Sequence, residues 1–166
     1  MRIHSILLPF LSASLAASKS LSVFSHDQAP LANDFDVPGK NPLKFCGDPQ
    51  NYILDIDKVD LDPNPPKSNS NLTITASGTF SQDVADGAKV ALTVKYGLIT
   101  LIKTTADLCS QIKQVDLECP LKKGKMDMVH EVRIPKEVPP GHYTVMADVV
   151  SKDGEAITCL ETTVHF

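Results

Sequence analysis

The chain contains no tryptophan and only three tyrosines and six phenylalanines. Sugar-binding faces stack their ligands on aromatic rings, so a carbohydrate-recognition role lacks its usual material. A surplus of positive charge is also missing, since 16 basic residues stand against 20 acidic ones for a net charge of −4. That balance argues against nucleic acid as a partner, because phosphate backbones demand a basic face. Beyond residues 1–17 no apolar run approaches the roughly 20 residues that span a bilayer as a helix. The G-x-S-x-G elbow, the G-x-G-x-x-G turn and the G-x-x-x-x-G-K loop are all absent, which removes three common catalytic or nucleotide-binding signatures. Cysteines at C-x-x-C spacing are absent too, so a closed zinc site has no ligand pairs to build on. No metal and no cofactor is expected.

What is present begins with an export signal. Arg2 precedes the apolar and small-residue stretch 3–17, which is broken by Pro9 and is too short to cross a bilayer. Ser14-Leu15-Ala16 fits the small-x-small rule for cleavage, so residues 1–17 are predicted to be a signal peptide. Residues 18–37 are polar and show no periodicity, which predicts a propeptide or loose arm. Residues 38–166 remain as one domain, of a length that fits a single core. Four cysteines in an exported small domain argue for two disulfides, with three pairings open. Pairing Cys109 with Cys119 closes a short loop, and pairing Cys46 with Cys159 ties the first strand region to the last. Asn71-Leu72-Thr73 is an acceptor sequon for N-glycosylation at Asn71.

The body of the chain alternates. Leu72, Ile74, Ala76, Gly78 and Phe80 interleave with polar residues, as do Val90, Leu92, Val94 and Tyr96, then Met126, Met128, His130, Val132 and Ile134. Tyr143, Val145, Ala147 and Val149 form another such row, and Leu160, Val164 and Phe166 share one side of the last segment. Period-2 order of this kind marks half-buried strands. Along 52–61 the phase changes near Lys58, which predicts a bulge. Turn residues punctuate the runs, and no stripe of helical length appears. The predicted fold is all-β, an antiparallel sandwich or barrel of seven or eight strands.

Candidates for chemistry thin out on inspection. His130, His142 and His165 are scattered in sequence. The series Asp55, Asp57, Asp60, Asp62 and Asn64 suggests a calcium loop, but Pro65 and Asn71 stand where an EF-hand needs Gly and Glu. The apolar inventory says more. Gly97-Leu98-Ile99-Thr100-Leu101-Ile102 breaks the alternation before it, so apolar side chains point both ways. Lys122, Lys123 and Lys125 around Gly124 make a small basic patch suited to anionic headgroups or membrane contact.

Asp107-Leu108-Cys109, then Cys119-Pro120-Leu121-Lys122-Lys123-Gly124, then Pro139-Pro140-Gly141-His142-Tyr143, and Asp153-Gly154-Glu155 leading to Cys159-Leu160-Glu161 resemble the ML lipid-recognition family. This is the family of the secreted Niemann-Pick type C cholesterol carrier, and within it the pattern is similar to the fungal branch that transfers phosphatidylglycerol and phosphatidylinositol. The resemblance covers about 44–166. It implies an immunoglobulin-like sandwich with an apolar cavity between its sheets, and the pairings Cys46–Cys159 and Cys109–Cys119. It further implies that Leu98, Ile99, Leu101, Ile102, Pro120 and Leu121 belong to the rim of a lipid pocket. Leu92, Val94, Tyr96, Met126, Met128, Val145 and Val149 become its walls. The function implied is a non-enzymatic, monomeric carrier that binds a phospholipid and moves it between membranes, in the secretory pathway, secreted or in a vacuolar lumen. A sterol carrier and a secreted module that recognises a protein partner are the alternatives.

Overall fold

The computed structural model describes residues 35–115 and 117–166. The expected signal peptide, and the 18–37 segment up to residue 34, lie outside the described residues. Among the described residues, eight strands form two antiparallel sheets. One holds β1 (Lys44–Phe45), β8 (Ala156–His165), β7 (His142–Val150), β4 (Lys89–Tyr96) and β5 (Ile99–Asp107) in that spatial order. The other holds β2 (Leu54–Asp62), β3 (Asn71–Phe80) and β6 (Gly124–Arg133). A short helix, α1 (Leu108–Ile112), follows β5 and is capped by the Asp107 carboxylate, which accepts from the Ser110 N–H at 2.8 Å. Five residues are too few to leave a periodic stripe in the sequence. The architecture is an immunoglobulin-like sandwich, closed by packing rather than into a barrel.

Three bulges decide which side chains face inward. On β2, Ile56 pairs with Gly78 and Lys58 with Ser77, which leaves Asp57 unpaired. The extra residue brings Val59 onto the same inward face as Ile56, both buried, and lies where the sequence phase changes. On β5, Val94 faces Ile102 and Lys95 faces Thr100, so Leu101 is the extra residue. On β8, Val149 faces Thr158 and Val150 faces Ala156, so Ile157 is the extra one.

One end of the interior is filled. Ile53, Phe80, Val84, Ala88, Leu121 and Ile157 pack together there, with α1 contributing Leu108 and Ile112. The disulfide Cys109–Cys119 staples this end, and Cys46–Cys159 ties the start of the domain to β8.

The chain before β1 is part of the sandwich. Val37 is buried with Phe45, Ile56 and Val59, and Phe35 packs against them. The Phe45 N–H donates to Phe35 O at 2.7 Å, and the Val59 and Leu61 N–H groups donate to Pro38 O and Lys40 O. Asn41 Nδ2 donates to Val59 O at 2.8 Å. This segment therefore spans from β1 in one sheet to β2 in the other. Phe35 and Val37, in the described part of the expected 18–37 segment, join this apolar cluster.

Candidate functional site

Toward the end opposite the packed cluster, the sheets enclose a cavity of about 780 Å³. Its walls come from the inward rows of both sheets: Leu54, Ile56, Leu61, Leu72 and Ile74 on one side, Val94, Val145, Ala147, Leu160 and Val164 on the other. The volume lies in the upper part of the range for small-molecule sites. Among the lining residues only Glu137 bears a charge, and it sits in the loop after β6 beside Pro135, Val138 and Pro139. Its carboxylate lies 3.8 Å from Lys136 Nζ.

The cavity opens where the two sheets end in β5 and β6. These strands do not pair with each other. The bulge at Leu101 turns both Leu101 and Ile102 toward the cavity, yet they remain 55% and 47% exposed. The hairpin tip beyond them carries Leu98, wholly exposed, and Ile99, 64% exposed. An aromatic group braces the same end. Tyr143 lies between Tyr96, ring centroids 5.1 Å apart, and Phe166, 5.6 Å away. The Tyr96 and Tyr143 hydroxyls donate to Pro140 O and Pro139 O at 3.1 and 3.0 Å. Loss of hydration, and secondarily the neighbouring Tyr96, holds the Tyr143 phenol above its ordinary pKa.

The structure brings six of the thirteen sequence-selected residues around the cavity: Val94, Leu101, Ile102, Met126, Met128 and Val145. The other seven lie elsewhere. Leu98 and Ile99 stand beyond the lip, and Tyr96 braces it from outside. Leu92 shares the inward face of β4 with Val94 but does not line the cavity. Val149 packs against the filled end. Leu121 is 7% exposed in that cluster, and its backbone exchanges hydrogen bonds with Val84 at 2.8 and 2.9 Å. Pro120 is exposed beside it. Pro120 and Leu121 therefore belong to the filled end and not to a rim.

Lys122, Lys123 and Lys125 stand apart from the cavity loop 134–139. They flank the start of β6, while the cavity loop 134–139 follows its end, about 30 Å of strand away. Lys122 Nζ pairs with Asp83 at 3.0 Å and the Lys123 N–H donates to the same carboxylate at 2.7 Å. These two bonds, the backbone one foremost, hold the Asp83 carboxyl below the usual aspartate value. The patch is a braced turn at the other end of β6 from the 134–139 loop. Asn71 stands at the head of β3, exposed, with its side chain bonded to Glu131 and Arg133 across β6. Of the three scattered histidines, His142 and His165 meet as a cross-strand pair, rings 4.7 Å apart on the outer face, while His130 stays on β6.

The wall residues not selected from sequence are mostly the inward rows of β2, β3 and β8. Their alternation was the available signal. Pro66, Pro135, Val138 and Pro139 lie in loops and carry no periodicity.

Two solved structures share this architecture: a Niemann-Pick type C2 protein from the Japanese carpenter ant and chicken MD-1 complexed with lipid IVa. The first is 17% identical with a TM-score of 0.53 and covers 74% of this chain and 97% of that one. The second is 21% identical with a TM-score of 0.54 and covers 75% and 88%. At such identity the likeness concerns the fold. Sequence relatives stand nearer. The phosphatidylglycerol/phosphatidylinositol transfer protein of Aspergillus fumigatus is 56% identical over 147 residues, 88% of this chain and 84% of that protein. Its namesake in Pyricularia oryzae is 50% identical over 169 residues, 100% and 93%. The ML domain model matches residues 40–166, and on that match and these relatives the chain belongs to the ML family.

Proposed function

We propose that this protein is a non-enzymatic carrier that holds a phospholipid, phosphatidylglycerol or phosphatidylinositol, between its sheets and transfers it between membranes. The observation that carries the reading is the cavity of about 780 Å³, walled by aliphatic side chains and open at a half-exposed apolar lip. Relatives near 50% identity named for that transfer supply the ligand class. The energetics explain why an interior site serves. A diacyl lipid keeps roughly 30 methylenes from water at about 0.8 kcal/mol each. Desorption is slow unless both chains remain sheltered. Transfer then needs no bond made or broken, so neither the His142–His165 pair nor Glu137 has a reaction to serve. The cavity lies within one copy of the chain, and a monomer suffices. Two disulfides and the leader pattern at 1–17 support a secretory-pathway setting.

Membrane contact belongs to the hairpin 95–103 in this reading. Its tip presents Leu98 and Ile99, its lip residues continue into the cavity, and exposed Lys95 and Lys103 flank it. An apolar tip with basic flanks suits an anionic bilayer surface.

Native mass spectrometry with lipid extraction, on protein purified from a secretory host, tests the proposal. A co-purifying phosphatidylglycerol or phosphatidylinositol is the expected result. A clean apo mass with no uptake from mixed vesicles would refute the carrier reading and move the function to recognition of a protein partner.

A further inference from the structure

Thr158, like Ser77 on β3, is a polar residue in the deep part of the cavity lining. It faces Val149 on β7 and is 7% exposed. Its Oγ1 is covered and has no hydrogen-bond partner among the described residues. The bulge at Ile157 explains the placement. Two consecutive β8 side chains turn inward, Ile157 into the filled end and Thr158 onto the wall of the cavity. A buried hydroxyl left unpaired is unfavourable by a kcal/mol or more in most proteins, and valine would fill the same volume without that penalty. The other hydroxyls on the wall with a described bond are satisfied by protein: Thr162 Oγ1 donates to Pro42 O and Tyr143 Oη to Pro139 O. Rotation about χ1 exchanges the methyl and hydroxyl of a threonine. A rotation of that kind puts the hydroxyl where the methyl stood.

We infer that Thr158 is a hydrogen-bonding subsite for a hydroxyl carried on the buried hydrocarbon of the ligand. The inference rests on the carrier reading and adds to it. About 27 Å of β8 separates Thr158 from Phe166 at the opening, so the group recognised lies toward the far end of the lipid from its headgroup. An acyl chain oxygenated near its terminus and a sterol bound hydroxyl-inward share this chemistry.

Competitive displacement of a fluorescent phosphatidylglycerol from the delipidated protein tests it, with two competitor pairs. One pair is hexadecanoic and 16-hydroxyhexadecanoic acid, and the other is cholestane and cholesterol. Each is measured on wild type, Thr158→Val and Thr158→Ser. Selectivity within a pair, compared between variants, isolates the hydroxyl-to-hydroxyl coupling from the general penalty of burying an oxygen. Thr158→Val is expected to favour the plain member and disfavour the hydroxylated one. The combined shift is about fivefold, the size of one net hydrogen bond. Thr158→Ser is expected to keep the wild-type selectivity. The pair that shows the shift identifies acyl chain or sterol as the source. Unchanged selectivity in both pairs, with displacement intact, overturns the subsite alone. Failure to take up the fluorescent lipid in any variant overturns the carrier reading and the subsite with it.

Discussion

Gly39 adopts φ +115°, and a β-carbon there would lie 2.1 Å from Val59 O. Neither the backbone angle nor the space admits another residue. Gly39→Ala is expected to destabilise the fold by about 2 kcal/mol or more, read as a lowered midpoint in urea. Asp60 and Asp83 make a weaker statement at the same scale. Asp60 is held below the ordinary aspartate value by Lys58, then by the Lys40 N–H, and Asp83 by the Lys123 N–H, then by Lys122. Native values lowered in this way mean stability that is complete above the unfolded aspartate range. It fades as pH falls through the lowered native values. The urea midpoint is therefore expected to drop in acid, and Asp83→Asn to flatten that drop; an unchanged profile would show the Lys122–Lys123 brace to be inert. Val94 tests the cavity. Val94→Asp places a carboxylate against an aliphatic wall, and a folded variant is expected to lose lipid uptake. Normal uptake would count against this interior as the site.

Strands carry the next set of consequences. The hairpin of β4 and β5 and the turn before β6 are the two exposed basic regions at issue, and they lie toward opposite ends of the sandwich. Lys95→Glu with Lys103→Glu is expected to slow transfer from anionic vesicles several-fold, with the effect reduced by salt. Lys123→Glu with Lys125→Glu is expected to leave the rate unchanged, and a reversal of that order would return membrane contact to the turn. Leu98→Asp is expected to slow transfer from neutral and anionic vesicles alike while equilibrium binding persists. The same elements show what alternation can convey. β3, β4, β6 and β7 were legible as strands because a half-buried strand writes its two faces into successive residues. β5 was not, since it is an edge strand exposed along nearly all its length and shifted by the Leu101 bulge. For the cavity, alternation reports the face of a residue and not its depth. Val145 and Val149 read identically in sequence, yet one meets empty space and the other a packed neighbour. The family resemblance put Leu121 at the rim. Its burial depends on Val84, 37 residues earlier, which no local pattern records.

For the molecule as a whole, the disulfides differ in reach. Cys46–Cys159 spans 113 residues and Cys109–Cys119 spans 10. On chain-entropy grounds, loss of the longer bridge is expected to destabilise by about 4–5 kcal/mol and loss of the shorter by about 3 kcal/mol, read from denaturation of the paired Cys→Ser variants. The longer bridge matters more here because a cavity removes packing contacts that an ordinary core would supply.

The segment 35–44, bonded to β1 and β2, joins the two sheets along one flank, while β5 and β6 leave the opposite flank unjoined. Such a molecule behaves like a book, with a sewn spine and a free fore-edge. Its pages part along the β5–β6 side, where the half-exposed Leu101 and Ile102 lie. Amide exchange is expected to be faster along β5 than along β2, the edge strands of the two flanks, and the reverse order would put the spine on the wrong flank. Proteolytic trimming has a limit set by the same binding. A cut before Phe35 leaves the stitching whole, whereas a cut after Val37 removes Phe35 and Val37 from it and frees the pages at their spine.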